Sequence, residues 1–153
     1  NAYDVAEIEI TKLKIKAEDF AICYASSQPR AVKTAKMIYS GNAIITDELI
    51  EVPIASYFLS EFNMPTLMRK IFSRFAWYLN LKIMPETRNQ TTERARLFIH
   101  KIVSNNNQHV LLITHGFFML CLKHELKKLG FKGTLPLFPK NACLYILEKS
   151  NNK

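Results

Sequence analysis

Two short strings of polar residues contain the side chains best suited to binding a phosphate group. One runs from Ser26 to Arg30, and the other comprises Thr114, His115 and Gly116. Each string directly follows an apolar stretch. A guanidinium can bind two phosphate oxygens at once, and an imidazole N–H can donate to a third. A glycine allows the backbone to approach a ligand closely. The two strings together predict a phosphate site.

Both strings are expected to lie where a strand gives way to a helix. The short apolar run 20–25 and the fully apolar run 110–113 predict buried strands, typical of a parallel sheet covered on both faces. Helices are predicted over 29–39, with a proline in the first turn, and over 117–129, before a glycine. Ligands of open α/β sheets bind beyond the carboxyl ends of strands, and helix amino termini favour anions. We therefore expect the two strings to converge.

Four further elements are predicted from local patterns. Residues 43–52 indicate a second strand and its exit loop, and 63–65 open a helix. The apolar residues of that helix recur at helical spacing, so their face is expected to be buried: Met68, Ile71, Phe72, Phe75 and Leu79. Thr91 or Thr92 is expected to cap the next helix. The run 143–147 predicts a last strand beside the others.

Alternating strands and helices indicate an α/β fold. We expect a three-layer sandwich in which a mostly parallel sheet is flanked by helices, forming a single domain over residues 1–153. No apolar run is long enough to span a bilayer, and no secretory signal is visible. The three cysteines stand in apolar surroundings without metal-ligand spacing, so we expect reduced, buried thiols, no bound metal, and a cytoplasmic protein without a membrane partner.

The net charge of +8 is compatible with three kinds of surface. A basic chain can bind nucleic acid, hold anionic small molecules, or present a solvated lysine-rich exterior. The lysines are scattered and form no stripe interleaved with aromatic residues, which single-strand binding would require. A nucleic-acid partner is therefore not expected. Affinity for nucleic acid that falls steeply with salt would show otherwise.

The pattern Ser-Ser-x-x-Arg-Ala-x-x-Thr-Ala at 26–35, followed about eighty residues later by Thr-His-Gly at 114–116, resembles the histidine phosphatase superfamily, which has the phosphoglycerate mutase-like fold. The resemblance extends to Leu-Ile-Glu at 49–51 and to Pro-Glu-Thr-Arg at 85–88. It continues to Asn141, so it covers nearly the whole chain. The resemblance implies an α/β fold and phosphoryl-transfer chemistry on a phosphorylated small molecule, with no metal and no organic cofactor.

The resemblance also implies roles for individual residues. In the family, one histidine attacks phosphorus, a second histidine and two arginines hold the oxygens, and a carboxylic acid protonates the leaving oxygen. By position, Arg30 matches an oxygen-holding arginine, His115 the second histidine and Glu51 the acid, and Gly116 belongs to the phosphate-binding backbone. Many relatives continue with Gly-x-Trp-Glu-Gly, whereas residues 52–55 are Val-Pro-Ile-Ala. A solvated loop carboxylate is thus the alternative for Glu51.

The family's nucleophile comes from an Arg-His-Gly-like motif on its first strand. Residues 1–29 contain neither histidine nor arginine, and the remaining histidines do not match the motif: His100, His109 and His124. We therefore expect a domain that is incomplete at its amino terminus, with the first strand missing. Because the family places that strand centrally, unpaired backbone groups are expected at the centre of the sheet.

The missing motif leaves two candidate functions. If the native protein is longer, the expected function is phosphomonoester hydrolysis through a phosphohistidine whose histidine lies outside these residues. If catalysis has been lost, the chain is a phosphate-binding pseudo-phosphatase, for which Arg30 and His115 suffice. The sequence does not exclude a mutase in place of a phosphatase. The sequence identifies neither the substrate nor an oligomeric state.

Overall fold

The structure is a computed structural model that describes residues 17–54, 65–105 and 109–149. Two short 3₁₀ turns, Ala17–Asp19 and Asp47–Leu49, accompany the regular elements. In chain order those elements are β1 (Ile22–Ser26), α1 (Pro29–Ile38), β2 (Ile44–Thr46), α2 (Thr66–Tyr78), α3 (Arg88–Ser104), β3 (Val110–Ile113), α4 (Gly116–Lys128), β4 (Phe131–Lys132) and β5 (Glu148–Lys149).

The main sheet has the strand order β2-β1-β3, and both pairings are parallel. Ala25 lies opposite Ile45 on one side and opposite Ile113 on the other. The central strand β1 is therefore hydrogen-bonded along both edges. The expectation of unpaired backbone groups at the centre of the sheet was wrong for the described residues, because β3 pairs directly with β1.

The chain divides into two compact units, one formed by residues 1–51 and 95–153 and the other by Val52–Arg94. In the first unit α1 packs on one face of the sheet, where small and branched side chains form a buried cluster: Cys23, Ala25, Ala31, Ala35, Leu111 and Ile113. Tyr24 points to the opposite face because side chains alternate along a strand. Its ring meets the fully buried Phe98 of α3 edge-on, with centroids 5.5 Å apart. The predicted three-layer α/β arrangement is confirmed.

The cysteines differ in their surroundings. Cys23 is fully buried, and burial raises the pKa of its thiol to about 11. It therefore packs as a protonated, small apolar group, as expected. Cys121 is half-buried and Cys143 is exposed, so the expectation of burial was wrong for Cys143. An apolar neighbourhood in sequence does not ensure a covered position in the fold.

Helix α2 in the second unit buries a different face from the one predicted. Its buried residues are Ser73, Ala76 and Trp77, and the indole Nε1 of Trp77 donates to Oγ1 of Thr91 at 2.9 Å. The prediction for the apolar face was wrong, because each of its residues is exposed: Met68, Ile71, Phe72, Phe75 and Leu79. Helical spacing identifies a face but does not supply a surface to cover it. Of the predicted opening at 63–65, residues 63 and 64 lie outside the described residues.

Helix α3 starts one turn earlier than predicted. Thr87 Oγ1 accepts from the N–H of Gln90, while Gln90 Oε1 accepts from the N–H of Thr87 at 2.9 Å. This reciprocal pair satisfies amides that the first turn leaves open. Thr91 is instead wholly buried inside the helix. The prediction that Thr91 or Thr92 caps the helix was therefore wrong, because the cap lies at Thr87.

The end of the described chain forms a second, small sheet. Helix α4 ends at Lys128, followed by Gly130 with a φ of 86°. β5 pairs with β4 in antiparallel fashion. Residues 143–147 form no strand, so the predicted last strand of the main sheet was wrong. A Cβ on Gly133 would overlap the carbonyl oxygen of Ile146, so the close approach of these segments requires glycine. Among the described helices none is long and apolar enough to cross a membrane.

Candidate active site

The parallel strands β1 and β3 bring Ser26 and His115 together at their carboxyl ends. Ser26 is the last residue of β1 and is fully buried, while His115 stands between β3 and α4. Nε2 of His115 lies 3.0 Å from Oγ of Ser26, and the imidazole tautomer determines which of the two donates. The same hydroxyl accepts from the N–H of Gln28 at 3.2 Å. The imidazole is thus attached to the sheet at the edge where ligands of α/β folds bind.

Arg30 lies in the first turn of α1, four residues after Ser26. Its Nη2 donates to Oδ1 of Asn141 at 3.4 Å, and its Nε is buried. The carbonyl oxygen of Arg30 accepts from the hydroxyl of Thr34 at 2.8 Å, which fixes the first turn of the helix. Asn141 is the residue to which the sequence resemblance extended. An amide oxygen that accepts from a guanidinium orients it without neutralising its charge.

Glu51 contacts the amino terminus of α4. Its Oε1 accepts from the N–H of Phe118 at 3.0 Å, and its Oε2 accepts from the N–H of Phe117 at 3.2 Å. His115 is the N-cap residue of this helix but makes no capping bond with its own side chain. The carboxylate of Glu51 therefore caps the helix from another part of the chain. The sequence left open a solvated loop carboxylate for Glu51, whereas the structure shows both of its oxygens accepting from backbone amides.

The segment that carries Glu51 is held by several polar contacts. The hydroxyl of Thr114 donates to the carbonyl oxygen of Leu49 at 2.7 Å, and that of Ser27 donates to Oδ1 of Asp47. Nζ of Lys101 donates to Oε2 of Glu48 at 2.8 Å, and this hydrogen bond, together with the opposite charge, raises the pKa of Lys101. The contacts of Thr114 and Ser27 connect the ends of β3 and β1 to the segment after β2, and Lys101 connects α3 to the same segment. They position Glu51 before any ligand binds.

Gly116 is the first residue of α4, and the described structure has room for a larger residue at this position. A Cβ at this position would lie 3.9 Å from Cδ of Pro139, an ordinary van der Waals distance. Its φ is not in the left-handed region. The expectation that Gly116 leaves room for a ligand therefore stays a prediction, because neither crowding nor backbone strain explains the residue.

The structure collects the predicted site residues at one end of the sheet. Glu51, His115 and Gly116 meet at the start of α4, and Arg30 lies at the start of α1. No role was predicted for Ser26 from the sequence. Its position at the end of an apolar strand, as the first residue of the pattern at 26–35, was the signal that could have identified it. The other three histidines are exposed. The described residues hold no cluster of three or more His, Cys, Asp and Glu side chains suited to a metal ion.

Comparison with known proteins identifies the family. Neither the curated proteins nor the solved structures include a match to this chain. The sequence model of the histidine phosphatase superfamily (branch 1) matches residues 5–153, which is nearly the whole chain. The chemistry of this superfamily is the transfer or hydrolysis of phosphoryl groups on phosphorylated small molecules. The parallel α/β sheet and the extended match agree with the resemblance seen in the motifs, and the chain therefore belongs to the histidine phosphatase superfamily.

Proposed function

We propose that this chain serves in the hydrolysis of a phosphomonoester through a phosphohistidine, with the attacking histidine supplied from outside these 153 residues. The observation that carries the proposal is the placement of His115. Its imidazole is held by Ser26 at the carboxyl end of the sheet and at the start of α4, and the Ser26 hydroxyl also accepts from the N–H of Gln28, the N-cap residue of the helix that bears Arg30. A cation, an imidazole and a helix amino terminus at one edge favour a bound phosphate.

The proposed roles follow from charge. The guanidinium of Arg30 and an N–H of His115 stabilise the negative charge on the phosphoryl oxygens during transfer, and Gly116 directly follows His115 at the start of α4. The external histidine forms an N–P bond while the alcohol oxygen leaves with a proton from an acid. Water then adds to phosphorus and returns a proton to the carboxylate of that acid, the N–P bond breaks with its electron pair on the histidine nitrogen, and inorganic phosphate departs. Glu51 is the proposed acid because its carboxylate lies at the start of the helix that follows His115.

The second candidate function is a phosphate-binding protein without catalysis. None of the four histidines of these 153 residues stands in an Arg-His-Gly motif, and this function needs no attacking histidine. Arg30 and His115 would still recognise a phosphorylated small molecule. The two functions share the same phosphate site and differ only in turnover.

Calorimetric titration of the 153-residue chain with inorganic phosphate, together with release of phosphate from p-nitrophenyl phosphate, tests both functions. We expect one phosphate bound per chain and no hydrolysis. A longer protein with an Arg-His motif upstream is expected to hydrolyse the ester without added metal. Absence of phosphate binding would refute the site. Hydrolysis by a homogeneous sample of the chain alone would refute an external nucleophile.

The Gly116→Ala variant tests whether the backbone at the start of α4 meets the ligand. We expect unchanged thermal unfolding, since the added Cβ has room and alanine suits a helix. Phosphate affinity is expected to fall about ten-fold, because the methyl group occupies the space that an oxyanion needs. Gly41→Ala, at an exposed glycine after α1, is a control for phosphate affinity only, because its added Cβ would meet the ring of Tyr39 at 2.8 Å and displace it. Equal phosphate affinity in Gly116→Ala and the unaltered chain would exclude Gly116 from the site.

The Glu51→Gln variant separates the acid role from the capping role. In the hydrolytically active protein we expect a large loss of turnover for an alkyl phosphate, whose leaving oxygen needs a proton. The loss for p-nitrophenyl phosphate should be much smaller, because nitrophenolate leaves without one. If Glu51 only caps α4, the substitution would lower the free energy of unfolding by about 1 kcal/mol and reduce turnover of both esters equally. That second pattern would restrict Glu51 to positioning α4.

A further inference from the structure

The exposed side of α2 forms an apolar surface that the proposed function does not use. We define the outer face as the six exposed side chains Leu67, Met68, Ile71, Phe72, Phe75 and Tyr78. Leu67, Phe75 and Tyr78 are 68%, 62% and 61% exposed. At about 100° per residue the outer face covers a continuous arc of about 140°. It lies opposite the side of α2 that is buried.

Basic residues border the outer face on both sides. On the helical projection Arg69 follows one edge of the arc, while Lys70 and Arg74 follow the other. No acidic residue occurs in α2. The guanidinium of Arg88 lies over the ring of Tyr78 at 4.8 Å, which adds a fourth cation at the border. The sequence 52–94 as a whole holds six Lys and Arg against three Glu.

We propose that the outer face of α2 binds an anionic membrane surface, with the helix lying in the plane of the headgroups. An apolar stripe of aliphatic and aromatic residues flanked by cations is the arrangement that places a helix at such an interface. The exposed Lys70 can extend from its edge towards lipid phosphates while its stem remains in apolar contact, whereas Nη1 of Arg74 donates to the carbonyl oxygen of Val52 at 3.3 Å. The charge of the border is complementary to an anionic leaflet.

This mode of binding differs from a helix that spans the bilayer. The expectation of no membrane partner rested on the lack of an apolar run long enough to span a bilayer. A helix in the plane of the interface needs no such length, and the 13 residues of α2 extend about 20 Å along it. A second copy of the chain is the less favoured occupant. Two outer faces packed together would bring their basic borders against each other.

Vesicle co-sedimentation tests the proposal on the unaltered chain. The vesicles are phosphatidylcholine alone, or phosphatidylcholine with about a third phosphatidylserine to give a negative surface. We expect binding to the anionic vesicles only, and weaker binding as the salt concentration rises. No binding to anionic vesicles, or equal binding to both kinds, would overturn the proposal.

Two pairs of variants locate the surface. Phe75→Ser on the outer face is expected to lower the vesicle partition coefficient about ten-fold or more. Phe138→Ser, at a phenylalanine that is 88% exposed and lies outside α2, is the matched control and should have little effect. Lys70→Glu should weaken binding more than Lys33→Glu, an exposed position on α1. Equal losses within either pair would overturn the proposal.

Two measurements separate membrane binding from unfolding and from self-association. Thermal unfolding of each variant shows whether the fold is retained, which we expect because all four positions are exposed. Sedimentation velocity of the unaltered chain gives its oligomeric state in the absence of lipid. A dimer that Phe75→Ser dissociates, without vesicle binding, would assign the outer face to a second copy and refute the membrane.

Discussion

The His115→Ala variant of the hydrolytically active protein is expected to turn over an aryl phosphate about a hundred-fold to a thousand-fold more slowly. Removal of one preorganised donor from an oxyanion site has an effect of about this size. The helix start should survive, because the His115 side chain makes no capping bond in α4. Steady-state kinetics with p-nitrophenyl phosphate, beside thermal unfolding of the same samples, measures both.

The matched control is His124→Ala, which removes an exposed histidine from the same helix. Its turnover is expected to equal that of the unaltered protein. If His115→Ala retained full turnover, the imidazole would not belong to the site. If both variants lost activity together with stability, the loss would be one of folding.

Arg30→Ala is expected to weaken phosphate binding by the 153-residue chain about ten-fold to a hundred-fold. A charge-assisted hydrogen bond contributes about 1.5–3 kcal/mol, which corresponds to that range of affinity. Arg30→Lys keeps the charge but loses the planar fork, so an intermediate affinity is expected. Isothermal titration with inorganic phosphate gives the three dissociation constants.

Lys33→Ala provides the control for charge alone, because Lys33 is an exposed cation on the same helix as Arg30. Its phosphate affinity should change little, and less at higher salt. An equal loss of phosphate affinity in Arg30→Ala and Lys33→Ala would mean that phosphate is attracted only by the overall positive charge. The proposed contact between the guanidinium and a phosphoryl oxygen would then be wrong.

Local patterns were enough to predict the elements that carry the site. The apolar run of β3 was predicted at its observed bounds, 110–113, and α1 within one residue of its end. Pro29 marks the start of α1 and Gly130 follows the end of α4, each because of its own backbone preference. These signals are contained within a few residues, so no tertiary information is needed to use them.

Contacts between distant residues were not predictable in the same way. The spacing of Phe72 and Phe75 indicated a helical face correctly, but burial depends on what covers that face. The carboxylate of Glu51 meets amides 66 and 67 positions further along the chain. Nothing local to Glu51 specifies that pairing. The family resemblance placed Glu51 at the site, and only the three-dimensional fold reveals its two backbone contacts.

The protected thiol in the central strand provides an internal reporter of sheet opening. Burial raises the pKa of Cys23 to about 11, so the thiol is protonated near neutral pH, and its sulfur is covered. A maleimide or disulfide reagent should therefore label Cys143 at once and Cys23 only when β1 separates from α1. Because the half-buried Cys121 can react more slowly than Cys143, labelling of Cys23 is followed separately by peptide mass spectrometry. Its rate measures how often the central strand of the sheet opens.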